Sequence, residues 1–132
     1  MKLDQITDGE LSILQVLWER GEATSREITA ALYEEVTDPK MATVQKLTER
    51  LEGKGCVERD RSERAHRFRP LVSQEQYLRS RLQALADRLC DGALVPLVTT
   101  LLQSKGLSRS EQEQLWTLVR ELWPTKQTGG RT

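Results

Sequence analysis

Arg61, Arg64, Arg67 and Arg69 fall within nine residues, and Glu63 is the only acid among them. Arginines at this density on a hairpin suit contact with phosphates, or entry of the tip into a minor groove. Just upstream, residues 41–51 carry Val44, Leu47 and Leu51 at i, i+3 and i+7, which places the three on one helical face with Thr48 beside them. The opposite face holds Ala42, Gln45, Lys46 and Glu49, with Thr43 and Arg50 on its flanks. A helix that enters a major groove needs small or hydrogen-bonding groups at its leading end and cations where it passes the backbone. The residues expected at base edges are Thr43, Gln45 and Lys46. Those expected at phosphates are Arg50, Lys54, Arg61, Arg64 and Arg67. Taken alone, the helix is also consistent with an ordinary solvated outer face. The arginines alone are also consistent with an edge strand made cationic to prevent edge pairing.

Other chemistries find little support. His66 is the only histidine, and neither Cys56 nor Cys90 lies in a CxxC or Cys/His pattern. A metal site is therefore not expected. No Ser-His-Asp or Cys-His grouping can be assembled around a sole histidine in an exposed hairpin, and there is no Gly-rich phosphate loop. No catalytic residue and no cofactor is expected. The two cysteines read as reduced, partly buried thiols of a reducing compartment. Trp116 and Trp123 read as core or interface.

The elements that position these residues follow from capping signals and spacing. Thr7 and Glu10 form a capping box that opens a helix over 8–20, with Leu11, Leu14, Leu17 and Trp18 inward, Ile13 and Val16 widening the stripe, and Gly21 as its end. Thr24 and Glu27 open a second helix, over 25–36, with Ile28, Ala31 and Leu32 facing in; Asp38-Pro39 is read as its break. The third helix spans 41–53 and stops at Lys54-Gly55. A hairpin follows: a strand over 56–59, a turn at 61–64 and a return strand over 65–69 closed by Pro70. In the return strand, Arg67 and Arg69 share one face, while His66 and Phe68 share the other. Helix followed by hairpin is the order of a winged helix.

Beyond Ser73 the pattern changes. Leu78, Leu82, Leu85 and Leu89 in a helix over 74–90 are spaced 4-3-4, an a/d seam rather than a broad globular face. Leu94, Leu97, Val98, Leu101 and Leu102 mark a fifth helix, with Pro96 best placed in its first turn. Ser108 and Glu111 cap a sixth, which runs to about 123 with Leu115, Leu118, Val119 and Leu122 on one stripe. The second part is small for an autonomous core, so its leucines should find a second copy of the chain. The expected division is 1–72, a winged-helix domain; 73–123, a helical dimerisation domain; and 124–132, a disordered tail. The fold class is mostly α with a small β-hairpin.

Net charge is zero, a mark against nucleic-acid binding if bulk charge decided the matter. Distribution says otherwise. Residues 40–69 hold nine Lys/Arg against five Asp/Glu, whereas residues 1–39 hold three against nine. The N-terminus has no apolar signal region and no apolar run approaches membrane-span length, so the expected location is the cytoplasm.

The run Leu11-x-x-Leu14-x-x-Leu17-Trp18, then Thr43-Val44, Leu47, Arg50-Leu51 and Lys54-Gly55, then Pro70-Leu71-Val72-Ser73-x-Glu75-x-Tyr77-Leu78, resembles the penicillinase-repressor family over about residues 5–123. The resemblance implies a winged-helix N-terminal domain, a helical dimerisation domain, and repression from dyad-symmetric operators. It makes the 41–53 helix the recognition helix and Arg61 to Arg67 the wing. It also implies a membrane-bound sensor protease as a partner. Antibiotic-responsive members are cut at an Asn-Phe bond where this chain has Thr100-Leu101. Copper-responsive members carry a C-terminal cysteine cluster, and no cysteine follows Pro124 here.

The expectation is a homodimeric repressor that binds a palindromic double-stranded operator and is not itself inserted in a membrane. Its dimer contacts would be Leu78, Leu82, Leu85, Leu89, Leu115, Leu118 and Leu122. The alternative is a winged-helix protein–protein interaction module without specific DNA binding. A third class is a redox sensor acting through Cys56 or Cys90.

Overall fold

The computed structural model describes residues 3–103 and 106–122 of the chain. After a short 3-10 turn at Leu3–Gln5, the order is α1 (Asp8–Arg20), β1 (Ala23–Thr24), α2 (Ser25–Leu32), α3 (Asp38–Gly53), β2 (Val57–Asp60), β3 (Arg67–Pro70), α4 (Gln74–Leu89), α5 (Val95–Gln103) and α6 (Arg109–Leu122). This is mostly helix with one small antiparallel sheet, the winged-helix arrangement.

Capping fixes the helix starts. Glu10 N–H donates to Thr7 Oγ1 at 3.2 Å, and Thr7 N–H donates to Glu10 Oε1 at 2.9 Å, so two otherwise orphaned donors are satisfied reciprocally. The same box recurs at Thr24/Glu27, Ser73/Gln76 and Ser108/Glu111. Gly21, at φ +89°, ends α1 in a conformation that a side chain would strain. Pro96 falls in the first turn of α5, where its missing N–H costs nothing.

The 25–36 and 41–53 helix boundaries need correction. α2 stops at Leu32, with Tyr33 in an extended C-cap conformation. Asp38 and Pro39 do not break it; they begin α3, which Thr37 caps by accepting from Lys40 N–H at 3.4 Å. Proline's fixed φ suits a first turn as well as a stop. Ala31, expected inward, is exposed, and Thr29 takes the buried place beside Ile28. The hairpin strands begin and end within two residues of expectation. A third strand, β1, was not expected: the sheet order is β1-β3-β2, with Ala23 opposite Phe68 and Arg59 also opposite Phe68.

The core gathers Ile13, Leu14 and Leu17 of α1, Ile28 of α2, Val44 and Leu51 of α3, and Val57 and Phe68 of the sheet. Val72 closes it, and its carbonyl accepts from Trp18 Nε1 at 2.8 Å. The Trp18 ring packs on Tyr77 at 5.9 Å, which ties α1 to the first turn of α4. Beyond this point burial falls away. Only Ala86 of α4 is buried, and α5 and α6 bury no residue. Leu78, Leu82, Leu85 and Leu89 on α4 and Leu118 and Leu122 on α6 are exposed, while Leu115 is half-buried. The tail over 124–132 lies outside the described residues, as do Trp123 and Lys105.

Candidate nucleic-acid interface

One side of α3 lines an open groove of about 600 Å³ between α2 and the hairpin. Met41, Gln45 and Glu49 of α3 line it together with Arg26 at the start of α2 and Arg64 of the hairpin turn. Burying Val44, Thr48 and Leu51 leaves Ala42, Thr43, Gln45, Lys46, Glu49 and Arg50 exposed, as a helical period dictates. Thr43 Oγ1 donates back to Pro39 O at 3.1 Å, and the residue is exposed.

Arg59 holds the hairpin against α3. It donates twice to Glu52 Oε1, at 3.3 Å from Nε and 3.1 Å from Nη2. Its guanidinium also lies over the Phe68 ring at 4.7 Å and reaches His66 Nδ1 at 3.3 Å. Such a stacked, two-pronged grip is specific to arginine. Arg61 lies 3.6 Å from the other oxygen of Glu52 and is largely exposed. Arg64 is exposed, and among the described residues no carboxylate lies within ion-pairing distance of it.

Arg67 and Arg69 share a face, as alternation requires, and both approach Glu22, at 3.7 and 3.9 Å. Arg67 also contacts Glu27 at 3.4 Å and Glu63 at 3.6 Å, so its charge is largely met within the chain. Glu27 is held below the ordinary carboxylate range by the Thr24 backbone N–H, with Arg67 assisting against partial burial. Asp60 is lowered likewise by the Ser62 N–H at 2.9 Å, which tightens the wing turn.

Lys54, grouped by sequence with the phosphate-facing cations, has a different setting. Its ammonium is 2.6 Å from Glu10 Oε1 and 2.6 Å from the Gln5 carbonyl oxygen, and Glu10 is wholly buried. The structure thus brings Thr43, Gln45, Lys46, Arg50, Arg61 and Arg64 to the exposed surface of α3 and the hairpin turn. It sets Lys54 and Arg67 within ion pairs.

The penicillinase repressor family model matches residues 6–121 of the chain. The chain belongs to the penicillinase repressor family. It is a DNA-binding transcriptional regulator, and the family is one of repressors rather than enzymes. The penicillinase repressor of Bacillus licheniformis is 26% identical over 121 residues, covering 91% of this chain and 93% of that one. A MarR family protein of Bacillus stearothermophilus is similar in structure, with a TM-score of 0.48 and 24% identity over 89% of this chain and 73% of that chain.

Two groove residues of this repressor-family chain escaped the sequence reading. Arg26 was legible in principle, because it sits in the first turn of a helix whose cap, Thr24, was recognised. Arg59 was not, because its Phe68 contact exists only once β2 pairs with β3, and its Glu52 contact only once β2 packs on α3. Cys56 is buried and Cys90 half-buried. Among the described residues no group of His, Cys, Asp or Glu is placed to hold a metal, and no helix is long and apolar enough to cross a membrane.

Proposed function

We propose that the protein is a homodimeric repressor that inserts α3 into the major groove at each half of a dyad-symmetric operator. The observation that carries this reading is the exposed polar face of α3, whose Gln45 and Glu49 share a groove with two exposed arginines, Arg26 and Arg64. Thr43, Gln45 and Lys46 would meet base edges. Arg50, Arg61 and Arg64 would meet phosphates, with the wing on the backbone beside the groove. Lys54 and Arg67 are left out of the contacting set, because carboxylates already hold them.

The chain would divide at residues 72 and 73. Its second part would pair two protomers through Leu78, Leu82, Leu85 and Leu89 of α4 and Leu115, Leu118 and Leu122 of α6. The exposure of these leucines supports that role, since six of the seven stand largely in solvent on a single chain. The repressor would act in the cytoplasm. A membrane-bound sensor protease belongs to the same reading as the upstream partner, although Thr100-Leu101 stands where antibiotic-responsive members have the Asn-Phe bond that is cut.

The test is selection of binding sites from random duplexes with the purified protein, then titration of the best site at several salt concentrations. The reading expects a palindrome with half-sites spaced by about 10 bp or a multiple of it. It also expects specific binding at least about a thousandfold tighter than non-specific. Weak binding without a motif at every salt concentration would replace it with a protein-interaction module.

A further inference from the structure

Glu49 is the one anion lining a groove that also holds Arg26, Arg59 and Arg64. It lies on the exposed face of α3, one turn beyond Gln45, and lines the same groove as Arg64. Three carboxylates of α2, α3 and β2 are matched with arginines. Glu27 lies 3.4 Å from Arg67, Glu52 lies 3.1 Å from Arg59, and Glu58 lies 3.2 Å from Arg69. Among the described residues, Glu49 has no such cation within 4.0 Å.

A bare carboxylate facing duplex DNA opposes binding by like-charge repulsion unless it meets a hydrogen-bond donor. In the major groove the donors are the exocyclic amino groups of cytosine and adenine. Adenine sets its N6 amino group beside the N7 acceptor, which repels a second acceptor. Cytosine N4 has no acceptor of its own base beside it in the groove. An acceptor-only group on this face therefore discriminates for cytosine.

The geometry points to Glu49 as a specificity-determining residue that accepts a hydrogen bond from cytosine N4 in each half-site. This rests on the reading of α3 as the helix in the major groove. Gln45 stands four residues earlier, about 6 Å along the helix axis. Its amide suits adenine N6 and N7. With base pairs about 3.4 Å apart, the cytosine lies about two steps from the base that Gln45 meets.

The experiment is parallel site selection with the wild-type chain, Glu49→Gln and Glu49→Ala, followed by titration of each on the wild-type site and on random-sequence duplex. Glu49 is exposed and outside the core, and unchanged thermal unfolding of both variants verifies that the fold is intact. The expected wild-type motif holds one strongly preferred cytosine per half-site. Both variants lose that preference, and Glu49→Ala binds the wild-type site about tenfold or more weakly. On random duplex both variants bind as tightly as wild type or tighter, because an anion has gone. A variant motif that keeps the cytosine overturns the assignment while leaving the repressor reading intact. Parallel weakening on specific and random DNA overturns it too. A wild-type chain that selects no motif overturns both readings.

Discussion

The Lys54 ammonium, at the C-cap of α3, lies 2.6 Å from the buried carboxylate of Glu10 in the first turn of α1. Forty-four residues separate the two in sequence. The same ammonium also binds the Gln5 carbonyl, and the 3-10 turn that contains Gln5 packs against α4. One cation thus connects α3, the start of α1 and the helix that leads away from the sheet. Glu10 Oε2 is buried without a partner among the described residues, so the pair has little reserve. Lys54→Met should cost about 3 kcal/mol, because it strands a buried charge. Urea unfolding at pH 7 measures this, and the double variant Glu10→Gln/Lys54→Met should recover part of the loss. A cost under about 1 kcal/mol would mean that water replaces the ammonium.

The same carboxylate gives the fold an acid limit. Burial pushes the Glu10 pKa up, but the Lys54 bond and the Thr7 backbone N–H outweigh it, and the group ends below its usual 4.5. Glu27 is lowered as well, chiefly by the Thr24 N–H. A carboxyl with a depressed folded pKa is protonated more readily in the unfolded chain. The stability it contributes is therefore complete above the ordinary value of 4.5 and is lost as pH falls through the lower folded values. Unfolding free energy should be level from neutral pH to about 5 and fall below that. Glu10→Gln should flatten the acid limb; a limb of unchanged slope would assign it to other carboxyls.

Arg64 and Arg67 are three residues apart yet should behave differently. Arg64 is exposed without a carboxylate neighbour among the described residues, whereas Arg67 faces Glu22, Glu27 and Glu63. Arg64→Ala should weaken binding to operator and random DNA alike and lower the salt slope by about one unit. Arg67→Ala should leave the slope nearly unchanged and cost at most about 1 kcal/mol of stability, since its partners are partly solvated. Titrations on both DNAs from low to moderate salt separate the two. Equal slopes for wild type and Arg64→Ala would remove Arg64 from the phosphate contacts.

Local signals carried most of the fold. The three capping boxes read from Thr7, Thr24 and Ser108 are all present, because such a box is complete within four residues. The inward stripe of α3 was legible for the same reason. What was lost was non-local or two-sided. Pro39 can end one helix or start the next, and only the Thr37 cap decides. β1 has two residues, too few for any alternation, and its partner β3 lies more than forty residues away. Lys54 looked like a surface cation because nothing near it in sequence shows that Glu10 is buried. On α3, helical spacing identified the exposed face of Ala42, Gln45, Lys46 and Glu49, but the pairing of arginines with acids emerged only from the folded sheet.

The 4-3-4 leucines of α4 make the strongest claim about assembly. Leu78, Leu82, Leu85 and Leu89 are between 41% and 69% exposed on the single chain, although a seam of this spacing is apolar along its length. Leu82→Glu puts a carboxylate at the middle of that seam and leaves the core around Phe68 untouched. Burying that charge without a partner is costly, so the dimer should weaken by about a hundredfold or more. Sedimentation equilibrium at micromolar concentration should then show a monomer. Far-ultraviolet circular dichroism should be little changed, because the core around Phe68 is untouched. Binding to a full palindrome should fall to about that of an isolated half-site, because the second α3 is no longer tethered. A Leu82→Glu chain that remains dimeric would move the interface away from α4 and toward the exposed face of α6, where Leu118 and Leu122 become the next substitutions.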